Sequence, residues 1–127
     1  MHPVKQGFAR PVIVHRAVFG SLERFIAILC EHLGGKWDFW VSPRQIKLIP
    51  IGKEAEEFTH LVENTLLLHD YAVAVDKSGD KLDKKVRNAQ IEAYNFIGVI
   101  GKEEVKTSTV NLRKRDEAKE EGKFTIP

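Results

Sequence analysis

The side chains best suited to chemistry in this sequence are cations gathered into two short stretches. Residues 77–88, KSGDKLDKKVRN, hold five basic residues against two acidic ones, and residues 111–115, NLRKR, hold three against none. From residue 41 onward the chain carries fifteen residues of each sign, so these stretches concentrate +6 and leave −6 elsewhere. Counterion release from a polyanion depends on local contacts, so this clustering is a better signal than the net charge of +2. A phosphate backbone is the partner such clusters would hold. On charge alone, two ordinary solvated faces are the competing reading.

Other chemistry is poorly supplied. No serine-histidine, cysteine-histidine or paired-carboxylate arrangement recurs with catalytic spacing, which argues against an independent enzyme. Cys30 is the one cysteine, so it has no internal disulfide partner and no thiol at metal-ligand spacing; it fits a reducing compartment and the role of a small buried hydrophobe. The 127 residues are 43% hydrophobic and 30% charged, enough apolar material for one compact core. No run of about eighteen uncharged apolar residues exists, and residues 1–7 lack the order of a secretory signal. A soluble, intracellular protein that does not enter membranes is expected.

The cations need elements to position them. Residues 10–16, RPVIVHR, are β-branched and apolar between charged ends and predict a strand. Gly20 supplies a turn and Ser21 an N-cap. Leu22, Phe25, Ile26, Leu29 and Leu33 then recur at helical spacing, until Gly34 and Gly35 stop the helix. Residues 36–43, KWDFWVSP, read as an aromatic connector between two structural units. Beyond Pro43, strand-like and helix-like segments alternate, which predicts an α/β fold with a sheet covered by helices. Strands are expected at 45–51, 71–76, 95–100 and 107–115, helices at 53–69 and 81–94, and a turn at 101–105. The second of these helices has its apolar seam at Leu82, Val86, Ala89 and Ala93, so Lys84, Lys85 and Arg87 should reach solvent. Residues 116–123 read as a polar, mobile tail, and 124–127 begin an element that the sequence does not complete.

Residues 15–45, HRAVFGSLERFIAILCEHLGGKWDFWVSPRQ, closely resemble the catalytic-to-anticodon junction of threonyl-tRNA synthetases. Gly20, Ser21, Leu22, Glu23 and Arg24 resemble motif 3 of the class II synthetases, where the arginine lies along the ATP phosphates; Arg24 is that residue here. His15 matches one of three protein ligands to a catalytic zinc, and the other two would lie upstream of this sequence. The resemblance divides the chain into residues 1–36, a strand and helix closing a class II catalytic domain, and residues 37–127, an anticodon-binding domain stopping short of its C-terminal helix. That domain is a mixed β-sheet flanked by helices.

Segments 84–88, 101–104 and 110–113 fall where the threonyl family carries KxR-type, GxxE-type and VxxR-type segments. The resemblance makes Glu104 and Arg113 readers of anticodon bases, since a carboxylate accepts from a base amino or imino group and arginine can pair bidentately with guanine. Lys84, Lys85, Arg87, Lys114 and Arg115 would hold phosphates. Bacterial members carry an arginine-asparagine pair where this sequence has Ser78 and Gly79, which leaves Asp76 or Asp80 as a substitute for a base contact; the spacing is more like that of eukaryotic cytosolic members. The implied partner is threonine tRNA, and the implied parent is a homodimeric, ATP-dependent, zinc-containing ligase of the cytoplasm. This chain alone would bind tRNA without catalysing, and neither ATP nor zinc should bind it tightly. A stand-alone interaction or regulatory module that keeps the fold is the alternative.

Overall fold

In the computed structural model, residues 7–9, 11–115 and 121–125 are described, the last five by backbone alone. His2, Arg10 and residues 116–120 lie outside them. The chain forms two compact units, Met1–His32 and Leu33–Pro127.

Helix α1, Leu22–Leu33, belongs to the first unit but for its last residue. Ser21 caps it as expected: its Oγ accepts from the Arg24 N–H at 3.4 Å and donates to Glu23 Oε2 at 2.8 Å. No strand forms among described residues 11–17, and Val12, Ile13 and Val14 are exposed, contrary to the expectation for 10–16. β-branched composition favours extended backbone, but a strand exists only with a neighbour to complete its ladder. None of the residues of α1 is buried, and Cys30 is exposed rather than packed.

The second unit holds β1 (Ile46–Pro50), α2 (Glu56–Leu68), β2 (Val73–Val75), α3 (Leu82–Ile91), β3 (Phe96–Ile100), α4 (Lys102–Thr107), β4 (Thr109–Lys114) and β5 (Glu121–Thr125). The strands form one mixed sheet in the order β2-β1-β3-β4-β5. β1 runs parallel to both β2 and β3, while β4 is antiparallel to β3 and to β5. Two elements depart from expectation. Residues 102–107 are helical rather than a turn, and a fifth strand occupies part of the supposed polar tail. Pairing with β4 determines that strand, and composition alone does not reveal it.

Strand alternation assigns the two faces. Ile46 and Leu48 of β1, Ile100 of β3 and Val110 of β4 pack with Ala55 and Val62, with Val105 of α4 beside them. Ile49, Ile97 and Val99 point the other way, onto Val86 and Ala89 of α3 and Tyr94. Helices therefore cover both faces of the three parallel strands, and β3 reads as the near-continuous apolar run such a strand needs. Gly98 fits this packing because it has no side chain: an added Cβ would lie 2.8 Å from Leu48 Cδ2 and 3.0 Å from Val110 Cγ1.

Candidate nucleic-acid interface

After β1 the chain turns to α2 on one face, and after β2 it turns to α3 on the other. The two exits splay apart, and ligands of open α/β sheets characteristically sit in such a crevice. Here the carboxyl ends of β1 and β2 open into a cleft of about 520 Å³, walled by Ile51, Gly52, Lys53 and His60 on one side and by Asp76, Lys77, Ser78, Gly79, Asp80 and Lys85 on the other. Gly52 takes φ 82°, a left-handed value that lets the backbone leave β1 for a short 3-10 turn at Lys53–Ala55.

The Asp76 carboxylate organises one wall. Its Oδ1 accepts from the Ser78 N–H at 2.8 Å and from the Ser78 hydroxyl at 2.6 Å, and Lys85 Nζ lies 3.6 Å away. Burial alone would raise its pKa, but the two Ser78 donors and the charges of Lys85 and Lys47 outweigh that and hold it below the ordinary carboxylate value. Asp76 is thus engaged within the cleft wall by Ser78 and Lys85. Asp80 pairs with Lys84 at 2.9 Å.

The expected cations fall into distinct environments. Lys84 and Arg87 stand exposed on α3, as the seam predicts. Lys85 does not: its side chain is only 10% exposed and is paired with Asp76. It is three residues past Leu82 and four before Ala89, so its stem lies along the seam rather than off it. Glu104 sits in the first turn of α4, where its Oε2 accepts from the Gly101 N–H at 3.0 Å and caps the helix just beyond the carboxyl end of β3. Arg113 is half-buried on β4, opposite Ile97. The register separates it from Gly101 by about 13 Å along β3. The backbone positions of Glu104 and Arg113 therefore lie apart on the sheet.

Lys114 and Arg115 lie at the opposite, amino end of the parallel strands, where Lys114 pairs with Phe96 across the sheet. Arg115 donates to the backbone carbonyls of Trp37 at 3.1 Å, Ala93 at 3.4 Å and Lys36 at 3.5 Å, so its guanidinium holds protein backbone, the work expected of it having been phosphate contact. Asn95 Nδ2 adds a bond to the Trp37 carbonyl at 2.9 Å. Sequence reading also passed over Lys47, which reaches Glu92 at 3.4 Å and lies over the Tyr94 ring at 5.1 Å. Its signal was a lysine inside an otherwise apolar strand.

In the first unit, His15 and Arg24 are both exposed. Among the described residues no three His, Cys, Asp or Glu side chains converge as a metal site would require, so His15 does not fit a zinc centre within them. No helix among them is long and apolar enough to cross a membrane.

Residues 45–126 match the model of the family described as "Anticodon binding domain". The chain is 44% identical to the cytoplasmic threonine-tRNA ligase of Saccharomyces cerevisiae over 118 residues, which cover 93% of this chain and 16% of that protein. It is 49% identical to cytoplasmic threonine-tRNA ligase 1 of Homo sapiens over 120 residues, again 92% of this chain and 16% of the relative. The chain thus spans about one sixth of the length of these relatives. Among solved structures, the RNA binding domain of threonyl-tRNA synthetase from Cryptosporidium parvum superposes with a TM-score of 0.82 at 40% identity, over 95% of this chain and 30% of that one. A prolyl-tRNA synthetase from the same organism shares the fold alone, with a TM-score of 0.67 at 18% identity over 80% of this chain and 23% of that one. The chain belongs to the anticodon-binding domain family, and over most of its length it is similar to the cytoplasmic threonyl-tRNA synthetases.

Proposed function

We propose that this chain is the anticodon-recognition part of a cytoplasmic threonine-tRNA ligase, an enzyme that joins threonine to its tRNA at the expense of ATP. The single observation that carries this reading is the match of residues 45–126 to the anticodon-binding family, on a fold whose strand ends open into a cleft beside exposed cations. RNA sequence is read where bases are unstacked, and an anticodon loop supplies such bases. Lys84 and Arg87 hold phosphates on the outer face of α3. Glu104 accepts a hydrogen bond from a base at one end of β4, and Arg113 donates to another further along the same strand. Aminoacylation itself needs the rest of the parent enzyme beside Arg24 and His15, which are one part each of its ATP and zinc sites, and the chain alone binds without catalysing.

The test is titration with labelled anticodon stem-loops, cognate and non-cognate for threonine, at several salt concentrations. Arg113→Ala should cost about 1 to 3 kcal/mol with the cognate loop and little with the other. Lys84→Ala should weaken both loops alike and reduce the salt slope by roughly 0.7. Equal losses for both loops in both variants would overturn the division between base-reading and phosphate-holding residues. Absence of saturable, salt-sensitive binding by the unaltered chain would favour the protein-interaction alternative.

A further inference from the structure

We propose that Lys85 is a positioning residue of this interface, acting through Asp76 to set the loop that walls the cleft rather than touching RNA. The inference rests on the anticodon-binding reading and assigns to one of its cations a different role.

A phosphate contact needs an ammonium that solvent can reach, and the two neighbouring lysines of α3 differ on that point. Lys84 is 64% exposed in its side chain, whereas Lys85 is 10% exposed and Asp76, its partner, 11%. A lysine buried to this extent is retained only when its charge is matched, because an unpaired ammonium away from water is costly. The matching group is the same carboxylate oxygen that accepts both Ser78 donors, so one atom joins the end of β2, the loop at Ser78 and the first half of α3. Each anchored segment borders the cleft. The loop thereby takes one conformation before any ligand arrives, and a preformed wall lowers the ordering cost of binding.

Amide hydrogen exchange and RNA binding on the 127-residue chain test this together. Lys85→Met, which keeps the apolar stem, should speed exchange of the Ser78 N–H about tenfold while core amides such as that of Ile97 keep their protection. It should weaken binding of the threonine anticodon stem-loop about tenfold with the salt slope unchanged. Lys85→Arg, which preserves the charge, should restore both properties. The pair Lys85→Met with Asp76→Asn should lose less than the product of the single losses, because the two act as a unit. A fall in the salt slope of about 0.7 for Lys85→Met would make Lys85 a phosphate contact and overturn the proposal. So would unaltered Ser78 exchange, or loss of protection spread evenly over the core. If the unaltered chain binds no stem-loop, the anticodon reading fails, and the Ser78 measurement still decides whether Lys85 sets the loop.

Discussion

The two ends of the parallel sheet carry the same kinds of side chain and use them differently. At the amino end the carbonyls of the connector take side-chain donors. Arg115 and Asn95 supply them to Lys36 and Trp37, Gln45 Nε2 bonds the Phe39 carbonyl at 2.9 Å, and Arg44 bonds the carbonyl of Glu92 at 3.0 Å. At the carboxyl end the chain departs to opposite faces, and exposed cations stand beside an open cleft. A guanidinium or ammonium drawn in beside buried carbonyls or carboxylates becomes a staple, and one left at the surface becomes a candidate ligand contact. Residue type is common to both outcomes; local backbone demand separates them.

Four measurements test this contrast. The largest effect is expected from Gly98→Val, at the core both ends share. Leu48 is 1% exposed and cannot yield to a new side chain, so overpacking should cost about 3 kcal/mol in urea unfolding and weaken both ends alike. Next, Arg115→Ala should lower stability by about 2 kcal/mol by stranding carbonyls of the connector, with the RNA salt slope unmoved in the folded fraction. A reduced slope would return Arg115 to the phosphate-contact group. Third, the carboxylate of Asp76 gives a pH signature at the cleft end. Its folded pKa is depressed below the unfolded value, so its contribution to stability is present above that unfolded value and is lost as pH falls through the folded one. The stability gap between the unaltered protein and Asp76→Asn should therefore narrow as pH falls from 7 to 3; a gap of unchanged size would deny the ionised pair. Smallest is Lys84→Ala, whose exposed partnership with Asp80 should change stability by less than about 0.5 kcal/mol while still lowering the salt slope.

Much of the second unit was legible in the sequence because its strands and helices keep one period over whole segments. Residues 45–51 and 95–100, expected as strands, contain β1 and β3; of the expected seam, Val86 and Ala89 are buried on α3 and Leu82 partly so, while Ala93 lies past the helix end at Ile91. The failures share a cause. Whether residues 10–16 form a strand and whether residues 121–125 do depends on a pairing partner, which local composition does not contain. The helix at 102–107 hid behind Gly101 because its cap comes from Glu104, the same side chain the family resemblance assigned to base reading. For the candidate site, the exposure of Lys84 and Arg87 was legible from helical spacing. Lys85 was misread because it sits on the margin of the seam, and Arg115 because the carbonyl it serves is 78 residues away.

The position of β1 within the sheet has a consequence for how the molecule is made. Ile46 pairs with Val73 on one side and with Phe96 on the other, so the strand at the centre of the parallel pairing emerges first and must wait for both neighbours. Closing a loop of that length is entropically costly before any contact repays it, and parallel pairing between distant segments is slow. During synthesis, Leu48 and Ile49 cannot be fully covered until β3 has been added. The anticodon unit should therefore acquire its fold late and nearly all at once, and a ribosome-bound chain ending before Ile100 should be readily cleaved by protease.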